Sequence, residues 1–111
     1  MIISRSDILV VTTEAVPGRE IDHALGMVRG STVRAKHIGS DIVAGLRNLV
    51  GGEVKEYASL LAGAREQAYD RMVEQAFEMG AHAIVACRME TSTIQQAASE
   101  VLFYGTAVRL K

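Results

Sequence analysis

The stretch "SEVLFYGTAVRL", residues 99–110, decides how this chain folds. Its odd positions are Val101, Phe103, Gly105, Ala107 and Arg109, and its even positions are Leu102, Tyr104, Thr106, Val108 and Leu110. Both sets are largely apolar. An antiparallel strand with one solvated face alternates apolar with polar residues instead. The segment therefore reads as a strand that needs cover on both faces. Each fully buried Leu, Val or Phe is worth roughly 1.5–3 kcal/mol, so several left in water would be costly and would invite aggregation. Helices can cover one face of a small sheet. The other face needs cover from elsewhere, and self-association is the simplest source.

Working outward, "AHAIVACRME" at residues 81–90 predicts a preceding strand, and Gly80 stops the helix before it. That helix is expected from about Glu56 to Met79, because Leu61, Ala64, Ala68, Met72, Ala76 and Met79 recur at helical spacing, widened by Tyr57, Leu60 and Val73. At about 1.5 Å per residue it would run about 36 Å, long enough to project or lie across a neighbour. Its alanines are small and allow another backbone to come close. Further upstream, "HIGSDIVAGLRNLVGG" at residues 37–52 predicts a short helix. Ser40 is its N-cap, Asp41 sits at the positive dipole end, Ile42, Leu46 and Leu49 form its stripe, and Gly51-Gly52 is its stop. "IDHALGMVRGSTV", residues 21–33, alternates as a strand, with a bulge expected near Gly30. "ILVVT", residues 8–12, predicts a buried strand ended by the turn-like "VPG" at residues 16–18.

The composition limits what such a domain can do. At 111 residues the chain is one domain, 49% hydrophobic and 23% charged, with a net charge of −1. No long-range field would gather nucleic acid or a membrane surface. No apolar run approaches the ~18 residues of a spanning helix. The N-terminal apolar run follows Asp7 and ends at Glu14, unlike a secretory signal. The single cysteine, Cys87, excludes an internal disulfide and suits a reducing compartment, so the expected location is the cytoplasm. No nucleophile, base and orienting group stand in a recognisable set, and no enzyme is expected.

The segments "ILVVTTE", "GMVRGSTVRAKHIGSDIVAGLRNLVGGEVKEY", "AREQAYDRMVEQAFEMGAHAIVACRME" and "LFYGTAV" together resemble the YbjQ-like family of bacterial proteins over essentially the whole chain. The resemblance implies an α+β fold like a dodecin subunit, with a small antiparallel or mixed sheet of about four strands on two helices, one short and one long. It further implies a homo-oligomer, a pentameric ring of β/α-propeller type. The family carries a heavy-metal-binding label, from which no activity follows. Family members usually read "GADAVVGVRFD" after the long helix, so His82, Cys87, Met89 and Glu90 are departures belonging to this chain.

Two clusters are candidates for chemistry. "RGSTVRAKHIGSD" gathers Arg29, Arg34, Lys36 and His37 ahead of a helix N-terminus, where free N–H groups bind anions. Asp41 already brings negative charge to that end, and Arg47 lies off the apolar stripe. These residues are either a small-ligand site or fastenings paired with Asp41, Glu53 or Glu56, and the motif is neither a P-loop nor G-x-G-x-x-G. A metal ion would draw on His82 and Cys87. They are five residues apart and point to opposite faces of a strand, without the paired spacing of structural zinc sites. The alternative is a surface histidine and an inert buried thiol. Glu74 and Glu78 at i, i+4 read as a solvated helix face. The ligand itself stays unspecified. The leading expectation is a non-enzymatic self-associating module, with a ligand-, anion- or metal-binding protein whose site forms between subunits as the alternative.

Overall fold

The computed structural model describes residues 4–35, 52–95 and 98–111. A 3-10 turn, Arg5–Asp7, leads into strand β1 (Leu9–Val10). Strand β2 (Ile21–Ala35), helix α1 (Gly52–Glu78), β3 (Ala83–Gln95) and β4 (Ala98–Leu110) follow. The sheet order is β1-β3-β4-β2, with β1 parallel to β3 and the other neighbours antiparallel. The architecture is α+β, a four-stranded mixed sheet with one long helix. The short helix expected between Ser40 and Leu49 lies outside the described residues.

The alanine stripe has the expected role, but the backbone it admits belongs to the same chain. Ala64, Ala68, Met72 and Ala76 are fully buried. They lie against β2 and β4 so closely that a Cβ on Gly30 would overlap the Ala68 carbonyl oxygen and the Met72 amide nitrogen, and come within 2.9 Å of the Arg71 carbonyl carbon. Gly30 is therefore not a bulge. The bulges fall earlier, between Ile21 and His23 and between Ala24 and Gly26, where Gly26 takes a φ of 125°. The physical reason is division of labour. Gly26 supplies the positive φ that a bulge exploits, whereas Gly30 supplies the missing side chain at the helix–sheet seam. The bulge also interrupts the alternation: Leu25 packs into the core under α1, while Met27, two residues on, is exposed.

Helix α1 starts at Gly52, a turn before the expected Glu56. It ends as expected at Gly80, φ 78°, with Ala81 N–H on the Ala76 carbonyl (3.0 Å) and Gly80 N–H on Phe77 (3.0 Å). That is a glycine-closed C-cap. Arg5 pins the N-terminal turn to the helix through Glu74 and stacks over Phe77, its guanidinium 5.3 Å from the ring centre.

The register assigns side chains to faces. Val28, Gly30, Thr32 and Arg34 of β2, with Ser99, Val101, Phe103, Gly105 and Ala107 of β4, look toward α1. Among the described residues the opposite face is covered only at one end. There the segment between β1 and β2 folds back, and Val16 packs on Ala83, Val85, Val108 and Leu110. Its turn at Pro17-Gly18 is closed by Arg19 N–H on the Val16 carbonyl (3.0 Å), with Gly18 at φ 82°. Residues 8–12, expected as a buried strand, form an edge strand whose Ile8 is buried and whose Leu9 is exposed. It is the outermost strand, in register with β3 at Leu9 and Val10, so only one side of it meets the sheet.

Candidate functional site

The expected anion cluster falls largely outside the described residues, where Lys36, His37, Asp41 and Arg47 all lie. Arg34 is described. It is half-buried on the helix side of β2, and its Nη2 donates to Gln67 Oε1 of α1 (2.6 Å). Its Nε and the hydroxyl of Thr32, only 4% exposed, are buried with no hydrogen-bond partner among the described residues. Arg29 points to the other face, opposite Tyr104, so β2 separates the two arginines that the sequence grouped together.

His82 and Cys87 serve different neighbours. His82, half-buried ahead of β3, accepts the Leu110 N–H at Nδ1 (2.9 Å), which fixes the neutral tautomer with its proton on Nε2. Cys87 is buried in the core beneath α1, beside Val28, Met72 and Ala107. Burial raises its thiol above the ordinary value, and the adjacent Arg88 only partly offsets that. Tyr69 is raised too, first by burial and then by the negative charge that Cys87, Asp70 and Glu66 would carry. A protonated buried thiol is a poor soft ligand. Among the described residues no group of three or more His, Cys, Asp or Glu side chains gathers. These donors do not fit a heavy-metal ion.

Beyond the covered end, the face away from α1 carries a broken apolar field, its members set among charged and polar side chains. Met27 is 60% exposed and Val33 57%, with Leu102 and Tyr104 half-buried between β2 and β3. The rows across the sheet run Arg29–Tyr104–Arg88, Ser31–Leu102–Glu90 and Val33–Glu100–Ser92. Arg88 folds back, its Nη1 donating to the Thr12 carbonyl (2.9 Å).

The other open feature was not anticipated from the sequence. Helix α1 sits over β2 and β4 and leaves the helix side of β3 partly bare. A groove of about 470 Å³ runs there between Leu61 and Arg65 of α1 and Met89, Thr91, Thr93 and Val101 of the sheet. Met89 in it is 45% exposed. The only sequence signal was the uncharged β-forming run "TST" at residues 91–93, which by itself states no partner.

A family model described as "Putative heavy-metal-binding", YbjQ_1, matches residues 8–111. The chain belongs to the YbjQ-like family. Its relatives span bacteria and archaea. This YbjQ-like chain is 55% identical to a UPF0145 protein of Thermus thermophilus over 105 residues, covering 95% of this chain and 92% of that one. It is 52% identical to a UPF0145 protein of Archaeoglobus fulgidus over 105 residues, covering 95% and 97%. Its fold is similar to a crystal structure from Pediococcus pentosaceus, a DUF74-family protein of unknown function. That match has a TM-score of 0.63 at 14% identity and covers 94% of this chain and 98% of that one.

Proposed function

We infer that this YbjQ-like chain is a self-associating cytoplasmic module rather than an enzyme, built as a closed ring of dodecin-like subunits, five by family resemblance. One observation carries the reading. The apolar field of Met27, Val33, Leu102 and Tyr104 lies on the sheet face that α1 does not cover, and among the described residues the Val11–Ile21 segment reaches only its far end. Copies that meet there remove exposed Met and Val from water, each worth roughly 1.5–3 kcal/mol when fully buried. Light scattering coupled to size exclusion tests this. The expected particle is five times the 12.0 kDa subunit, and Val33→Lys lowers its mass. A 12.0 kDa particle at micromolar concentration overturns the reading.

The second reading is a small-ligand or metal-binding protein with sites between subunits, drawing on Arg34, Lys36, His37, Asp41 and Arg47. The unpartnered Arg34 Nε and Thr32 hydroxyl favour its anion form, because buried polar groups normally have a partner. A thermal-shift screen of phosphate, sulfate and carboxylates, with elemental analysis of protein purified without chelator, tests it. Stabilisation by an anion that is lost in Arg34→Gln supports it, since specific binding must raise stability. No shift and no stoichiometric metal removes it.

A further inference from the structure

The two long edges of the sheet are treated differently. On β2, Arg29 N–H donates to Gln75 Oε1 (2.7 Å) and the Ser31 carbonyl accepts from Arg71 Nη1 (2.7 Å), so two helix side chains occupy that edge. These bonds also fix the parity of the sheet. With Arg29 and Ser31 facing outward, Val28, Gly30 and Thr32 bond to β4, at Gly105, Phe103 and Val101. Leu102 and Tyr104 therefore turn to β3, where they meet Glu90 and Arg88. The backbone groups of Met89, Thr91 and Thr93 are then left pointing away from the sheet. The earlier part of that edge is closed: Val11 N–H donates to the Ile84 carbonyl (2.9 Å), Cys87 N–H to Val11 (3.0 Å) and Ala86 N–H to Thr13 (2.7 Å). From Met89 to Thr93 no backbone partner lies on it among the described residues. Residues 91–93, Thr-Ser-Thr, carry neither the charge nor the proline that usually blunts an exposed edge.

We propose that this open edge of β3 and the groove beside α1 form a seat for an extended acidic–apolar segment of a partner protein, which adds to the sheet as a strand. Main-chain bonds to Met89, Thr91 and Thr93 supply affinity, and alternate side chains entering the groove supply selectivity. Leu61 and Arg65 are one turn apart, about 6 Å along the helix, close to the ~6.8 Å between alternate residues of a strand. An apolar side chain thus lies on Met89, Val101 and Leu61, and the side chain two residues along reaches Arg65. Arg65 is exposed and makes no hydrogen bond or ion pair among the described residues, so a carboxylate complements it. A second copy is the poorer occupant. Its β3 would send Met89, Thr91 and Thr93 into the groove, none of them acidic, and its β2 edge is already occupied by Gln75 and Arg71. The seat lies on the opposite side of the sheet from the apolar field assigned to self-association.

The test pans a phage library of random dodecapeptides on the full-length protein, with Thr91→Pro as the counter-selecting surface. Proline there removes only an outward N–H, which edge strands tolerate. Enriched sequences are expected to carry Asp or Glu two positions from Val, Ile or Leu. Their fluorescein-labelled peptides should bind saturably to the wild type and about tenfold more weakly to Arg65→Glu and to Thr91→Pro. Replacing the acidic residue with Lys should restore binding to Arg65→Glu. Arg65 is exposed on the helix, so its variant keeps the test open if the proline variant misfolds. Three results overturn the proposal: no enrichment over the counter-surface, equal binding to wild type and Arg65→Glu, or a change of assembly mass in Arg65→Glu, which gives the edge to a second copy.

Discussion

Cys87 shows what a single buried side chain contributes. Its thiol is raised by burial, so the folded chain holds that proton more tightly than the unfolded chain does. The stability this represents is fully present below the unfolded thiol range and is lost as pH rises through it, from about pH 8.5 upward. Tyr69, raised in the same sense, extends the loss to higher pH. Urea midpoints at fixed protein concentration should fall between about pH 7 and about pH 9.5, and fall less in Cys87→Ala. The same burial keeps the thiol from reacting. A disulfide reagent at neutral pH should label Cys87 slowly in the native protein and at once in denaturant. His82 contributes through its ring nitrogen. His82→Phe leaves the Leu110 N–H without its acceptor and should cost about 1–2 kcal/mol in thermal denaturation, whereas His82→Asn offers a carbonyl oxygen in its place and should lose less.

Among the elements, the seam between α1 and β2 fixes the fold most tightly. Gly30→Ala drives a methyl into the helix backbone at Ala68 and Met72, atoms that no rotamer change can move aside. It should cost about 3 kcal/mol, at the upper end of overpacking effects, and circular dichroism melts would read the loss. Part of this seam is legible in the sequence. The spacing of Ala64, Ala68, Met72 and Ala76 shows both the helix and the closeness of its contact, and the doubly apolar run at residues 99–110 marks a central strand. The partner of those alanines is not legible, because a glycine in "RGSTV" satisfies a bulge and a close approach equally well. The faces of β2 past Gly26 are not legible for a similar reason: one inserted residue reverses which side each neighbour faces. The open β3 edge could not be read at all. Which backbone groups face outward depends on the register of two other strands, and that is a property of the assembled sheet.

On the scale of the whole molecule, the sheet and helix make an elongated body of 55 × 22 × 21 Å. Its radius of gyration is 17.4 Å, against about 13 Å for a compact domain of this length. Such a shape has much surface for its core, and the uncovered face is where association would recover the difference. Two adjacent residues of β4 separate folding from association. Val101 points toward α1 and is fully buried with Ala64 and Ala68, while Leu102 points to the open face beside Ser31 and Glu90. Val101→Ala should lower the melting temperature, losing about 2 kcal/mol of buried side chain, and leave the assembled mass unchanged well below the melt. Leu102→Asp should do the reverse, keeping the helical circular dichroism while light scattering reports a smaller particle. If Leu102→Asp retains the wild-type mass, copies do not meet across this face. The apolar field would then need another cover, and the ring would lose its physical basis.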